Sequence, residues 1–199
     1  MIRTAVPPNA EHTWDLKSMT YTVRAIRPIA QGEQVFIAYH YLFLPRVERQ
    51  NVLFSKYSFK CTCPCCTLPP AESTLSDIRR NLLKTLFAQT PEVLREQDRL
   101  LKEWASNPSL PDDHLTKRSQ MVLALMDKED AYDMNAWFAH CALLFKAFSA
   151  LSDREGVQEL AIKATTMAKI YTGSDGGWSK TAKAPEATEW WGLRRKITA

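Results

Sequence analysis

Residues 20–39 alternate between apolar and polar with the period of a strand. Tyr21, Val23 and Ala25 share one face, Gln31-Gly32-Glu33 has turn composition, and Val35, Ile37 and Tyr39 resume at period two. This predicts two antiparallel strands joined by that turn. Pro45 is placed to open a short helix on which Val47, Asn51 and Phe54 recur at helical spacing. The stretch from Leu68 to Thr74 is proline-rich and polar and reads as a boundary. Beyond it the period becomes helical. Ile78, Leu82, Leu83, Leu86 and Phe87 mark one helix, and Thr90-Pro91-Glu92 supplies a cap, a first-turn proline and an early acid for the next. Asn107 to Pro111 interrupts, and a weaker helix around Leu115 to Met126 follows. A strong stripe carries Trp137, Cys141, Leu144, Phe145, Phe148 and Leu151. Ser152-Asp-Arg-Glu155 has capping-box spacing and opens a helix with Val157, Leu160, Ala161, Ala164 and Ala168 on one side, stopped at Gly173. The last two helices read as one helical hairpin of the tetratricopeptide-like kind, without a repeating period. The tryptophans at 178, 190 and 191 are expected to pack back onto the helices.

Composition changes this picture little. The 199 residues are 45% hydrophobic and 24% charged, enough for one domain or two small ones. The net charge of +4 comes from dispersed Lys and Arg, which argues against a direct nucleic-acid contact. No apolar run approaches the roughly 20 residues of a membrane span, and the first residues lack the apolar core of a secretory signal. An intracellular protein, nuclear or cytoplasmic, is expected.

The cysteines change it more. Four of the five fall between Cys61 and Cys66, too crowded to staple distant parts of a fold and better suited to a metal. Cys61, Cys63 and Cys66 form C-x-C-x-x-C, which brings three thiolates within reach of one zinc ion that prefers four ligands. Adjacent residues rarely both reach one tetrahedral centre, which disfavours Cys65 as the fourth. His40, Cys141 or a water are the other options.

Four stretches resemble, in order and spacing, the end of a SET domain and its post-SET segment. They are Pro8-Asn9-Ala10, Gly32-Glu33-Gln34-Val35-Phe36-Ile37-Ala38-Tyr39, Arg46-Val-Glu-Arg-Gln50 and Tyr57-Ser-Phe-Lys-Cys-Thr-Cys63. The likeness covers residues 8–66 and is to the SET-and-MYND branch and its fungal SET relatives, which Ser76-Asp-Ile-Arg-Arg80 also resembles. It implies a protein-lysine N-methyltransferase using S-adenosylmethionine. Carried over by residue, it gives Tyr39 the place of the tyrosine at the methyl-transfer centre. Tyr57 becomes the second tyrosine, walling the channel for the lysine side chain. Phe59 becomes the aromatic packed on the cofactor's adenine, and Cys61, Cys63 and Cys66 the zinc ligands. Without the resemblance, Tyr39 reads as a rim tyrosine, and Tyr57 and Phe59 as core plugs.

The chain departs from the pattern at residues 3–9, where the family has an Asn-His pair and a fourth zinc cysteine; Val6 stands at that cysteine's place. The expected organisation is an α+β fold. Residues 1–67 would form the C-terminal part of a SET domain with its cysteine cluster, 68–75 a linker and 76–199 a helical region. The earlier SET strands being absent from the sequence, the chain is expected to be a truncated form that does not transfer methyl groups alone. The alternative is a non-catalytic zinc-binding module whose helical tail takes a protein partner.

Overall fold

The structure is a computed structural model and describes residues 3–5, 7–88 and 90–195. The fold is α+β, with short strands followed by helices. The chain divides into two compact units, residues 1–85 with 125–132, and residues 86–124 with 133–199.

In the first unit β2 (Ala10–Asp15) and β3 (Thr20–Ala25) form an antiparallel hairpin with Trp14 opposite Tyr21. Its turn is closed by the Asp15 carboxylate, which accepts from the Lys17 amide at 2.9 Å and the Ser18 hydroxyl at 2.7 Å. Two-residue strands β1 (Arg3–Thr4) and β4 (Phe36–Ile37) pair in parallel. The hairpin expected across Gln31-Gly32-Glu33 is therefore not formed: 20–25 pairs upstream, and 36–37 pairs with β1. Between them Pro28 has no N–H to give a ladder. The Glu33 carboxylate gathers Arg27 at 2.6 Å, the Ala30 amide at 3.1 Å and Asn9 Nδ2 at 3.0 Å. Those bonds, led by Arg27, hold its carboxyl down at about 2. Asn9, wholly buried, also donates to the Gln34 carbonyl and accepts from the Phe36 amide at 2.7 Å, so one side chain fixes the entry to β4.

Helix α1 (Arg46–Tyr57) begins after Pro45 and ends at Ser58, whose left-handed φ of 57° reverses the chain. Its inward face is not the predicted one. Val47 and Phe54 are 66% and 68% exposed, whereas Arg49 and Leu53 are buried. An arginine is drawn inward because the cysteine loop offers it acceptors, which turns the apolar stripe to solvent. Helix α2 (Pro70–Ala88) likewise replaces most of the expected linker. Pro70 at its first position needs no amide hydrogen bond. The polar residues Ser73, Ser76 and Arg80 are buried, which is why polarity misread this stretch as a boundary.

The second unit holds α3 (Thr90–Ser106), most of α4 (Thr116–Glu129), α5 (Met134–Ala150), α6 (Arg154–Thr172) and α7 (Trp178–Lys183). Leu101, Trp104, Leu115, Leu143 and Ala147 form a core. Helices α5 and α6 pack as the expected hairpin. Val157, Ala161, Ala164 and Ala168 are buried, small side chains that let two helices approach closely. The cap of α6 is Asp153, which accepts from the Gly156 amide at 2.9 Å, one residue beyond the serine of the predicted box. Gly173 ends the helix at φ 81°. Trp178 and Trp190 do pack back, both edge-on to Phe145. Arg194 pins the tail through the Trp104 carbonyl at 2.6 Å and Asp112 at 2.6 Å.

His140 of α5 is buried, with Nδ1 3.0 Å from the Ser119 hydroxyl and Nε2 without a partner among the described residues. Burial, aided by the nearby Arg118 charge, pushes its pKa from 6.5 down to about 4. A folded-state value below the unfolded one means no penalty above pH 6.5 and a growing one as pH falls towards 4. At about 1.36 kcal/mol per pH unit the loss is on the order of 3 kcal/mol. Urea midpoints between pH 7 and 4 should fall accordingly, and His140→Leu should flatten that slope.

Candidate functional site

The cysteine loop is built by local geometry. Cys63 is extended, Pro64–Cys66 makes one 3-10 turn, and the Cys66 and Thr67 amides both return to the Cys63 carbonyl at 2.9 and 3.1 Å. Gln50 of α1 clamps Cys61 from both sides, donating to its carbonyl at 2.7 Å and accepting from its amide at 3.0 Å. The sulfurs of Cys61, Cys63 and Cys66 consequently lie within 4.8 Å of one another. Three vertices of a tetrahedron around zinc with bonds near 2.3 Å are about 3.8 Å apart, so the arrangement fits that ion. Cys66 is pushed far above the ordinary thiol range, first by hydrogen bonding with Cys61 and Cys63 and then by burial; Cys61 is raised too, first by Cys63. Three sulfurs this close can be thiolates together only with a cation between them.

Cys65 faces elsewhere. Its sulfur accepts from Arg49 Nη2 at 3.3 Å and Arg80 Nη2 at 3.5 Å. His40 directs Nδ1 towards the Tyr41 carbonyl at 3.0 Å, and burial holds it below its ordinary value. Cys141 belongs to α5 in the second unit. Among the described residues, the ligand atoms gathered at this point are the three predicted sulfurs. Val6, the residue at the place of the fourth cysteine, lies outside the described residues.

Beside the loop is a cavity of about 760 Å³ whose wall includes Thr4, Phe36, Tyr39, Phe59, Cys61 and Cys63. Two cations, Arg27 and Lys60, also line it. Tyr39 follows β4, and its amide donates to the Thr4 hydroxyl at 3.2 Å, so the β1–β4 pairing sets its place. Tyr57 is outside the wall but packs on Tyr39, with ring centroids 5.0 Å apart and planes 46° apart. Leu53, Cys61 and Cys66 form a small buried cluster on which Tyr39, Phe59 and Cys63 pack. Five of the six predicted site residues thus meet in one cluster, and the sixth touches it through a ring contact. Sequence reasoning missed Asn9, Gln50, Arg49 and Arg80 as its supports. All four lay inside stretches that carry the resemblance, but nothing in the periodicity marks a polar residue as buried.

Comparison with curated proteins relates part of the chain to SET-domain proteins. Histone-lysine N-methyltransferase set5 of Schizosaccharomyces pombe is 36% identical over 77 residues, 38% of this chain and 24% of that protein. Protein SET DOMAIN GROUP 41 of Arabidopsis thaliana is 44% identical over 50 residues, 25% of this chain and 9% of that protein. The chain thus spans about a quarter or less of the length of these relatives. No family model matches it.

Proposed function

We propose that residues 1–67 are the C-terminal part of a SET-type protein-lysine methyltransferase site, including its post-SET segment, with an appended helical region that starts at Pro70 rather than at residue 76. The observation that carries this reading is the meeting of Tyr39, Phe59, Cys61 and Cys63 at one cavity, with the Cys66 sulfur beside those of Cys61 and Cys63 and Tyr57 tilted against Tyr39. S-adenosylmethionine supplies an electrophilic methyl group on a sulfonium. What the chain must add is alignment, because an in-line displacement depends on holding a neutral amine behind that methyl. Tyr39, with Tyr57 packed against its ring, gives a lysine side chain an aromatic surface, and the Tyr39 hydroxyl is a hydrogen-bonding group for its amine. Phe59 offers a flat apolar face to the adenine. Zinc held by Cys61, Cys63 and Cys66 would fix the loop carrying Phe59, a structural role. The substrate class is a protein lysine, as the histone-lysine methyltransferase activity in the fission-yeast relative's name suggests.

Two measurements on the purified chain test this. Titrated with S-adenosylmethionine and followed by backbone NMR, the chain should show shifts confined to residues around Tyr39 and Phe59, with affinity weaker than micromolar. Phe59→Ala should remove them. Incubation with histone and labelled cofactor should give no transfer by the chain alone. Shifts elsewhere, or shifts indifferent to Phe59→Ala, would overturn the site; micromolar binding with turnover would overturn the inactivity of the chain by itself.

A further inference from the structure

Arg49 poses a problem in electrostatics that the cysteine loop resolves. The residue is 1% exposed, and among the described residues no carboxylate pairs with it. Its Nε has no hydrogen-bond partner among the described residues. Nη1 donates to the Leu44 carbonyl at 2.6 Å, and Nη2 faces sulfur, at 3.3 Å from Cys65 and 3.9 Å from Cys66. A buried cation needs a counter-charge. The metal centre of the proposed function provides one: three thiolates and a dication sum to one negative charge, and Arg49 offsets it. A thiolate at the fourth position would leave a further charge unmatched.

Arg80 completes the arrangement. It is fully buried and paired with Glu129 at 3.0 Å, and it reaches the Leu42 carbonyl with Nη1 and the Cys65 sulfur with Nη2. Two guanidiniums therefore tie the backbone just after Tyr39, at Leu42 and Leu44, to the metal loop, with Cys65 as their common acceptor.

We propose that Arg49 is the counter-charge and N–H···S donor of the Cys61–Cys63–Cys66 centre, and that Cys65 is held by Arg49 and Arg80 rather than serving as the fourth ligand. Both arginines are positioning residues. The inference rests on the metal reading above, and the experiment separates the two. Zinc affinity is measured by competition with a chromophoric chelator for the wild-type chain and for Arg49→Met, Arg49→Lys and Cys65→Ala. Coordination is followed by the thiolate-to-cobalt absorption of the cobalt-substituted chain.

The wild-type chain should hold one zinc. Arg49→Met should weaken binding by about 10- to 100-fold, the range for loss of a group that supports a metal ligand. Arg49→Lys, which keeps the charge and loses the fork, should recover part of that affinity. Cys65→Ala should leave the affinity and the cobalt band unchanged, whereas Cys66→Ser should remove about a third of the band, one thiolate of three. A wild-type chain without zinc defeats the metal reading and this inference with it. Zinc bound equally by wild type and Arg49→Met defeats the inference alone, as does a weaker cobalt band in Cys65→Ala. Should Arg49→Met not fold, the lysine variant and Cys65→Ala still decide it.

Discussion

Replacing Cys61 and Cys63 together with serine is expected to abolish stoichiometric zinc and to loosen the chain from Ser58 to Leu68. The physical reason is the thinness of the other ties there. Apart from a single 3-10 turn, the loop is tied by the two Gln50 contacts to Cys61, the Arg46 bond to the Leu68 carbonyl and the arginine contacts to the sulfurs of Cys65 and Cys66. The buried apolar cluster beneath it is largely sulfur, with Leu53 as its one buried aliphatic residue. Structural zinc contributes about 10–16 kcal/mol of apparent binding free energy in small zinc-finger peptides, and that energy is folding energy. Here α1 already holds one end of the loop, so only part of it would appear as global stability; several kcal/mol is a reasonable scale. The check is metal analysis of wild type and double variant, with melting curves recorded with and without a strong chelator. Chelation should lower the wild-type midpoint and leave the variant's unmoved. Equal zinc in the two proteins would eliminate the site, because two of three ligands would then be dispensable.

What could be read in the sequence divides by range. The cysteine spacing was legible because three donors within six residues need no fold to bring them together; a 3-10 turn suffices. The α5–α6 hairpin was legible for the same reason: the stripes, the cap region at 152–155 and Gly173 are all local. The strand partners were not. Alternation at 20–25 and 35–39 identifies extended chain, but 20–25 pairs in a local hairpin with 10–15 closed by Asp15, and the entry to 36–37, which pairs with 3–4, is set by Asn9 and Glu33 acting over more than twenty residues. Adjacent strands in sequence are usually neighbours in space, and that tendency gave the wrong pair here. The inward face of α1 and the nature of 68–75 failed through one assumption, that charged and hydroxyl side chains face water. Arg49, Ser76 and Arg80 are buried because acceptors distant in sequence await them, and no local pattern records that. The candidate site residues were named by resemblance, whereas the residues that hold them together required the structure.

The same buried polar group sets the other large effect. Glu129→Ala should destabilise the protein by about 3–5 kcal/mol, the range for removing one partner of a buried ion pair. Glu129 is nearly inaccessible, and its two carboxylate oxygens serve three donors: Oε2 accepts from the Ser76 hydroxyl at 2.6 Å and faces Arg80 at 3.0 Å, while Oε1 takes Arg79. It stands at the last residue of α4, where the helix dipole disfavours an anion, so the arginines and not the helix keep it there. Alanine would strand the Arg80 charge in a site from which water is excluded. Glutamine keeps an acceptor for Ser76 and one arginine, and should lose roughly half as much, since the hydrogen bonds survive and the charge does not. Pairing Glu129→Ala with Arg80→Met should then cost less than the sum of the two single changes, because each alone leaves the other charge uncompensated. Urea unfolding of the four proteins closes the cycle. Strict additivity would show that the two groups, though 3.0 Å apart, do not support one another, and Arg80 would have to be held by its carbonyl and sulfur acceptors alone.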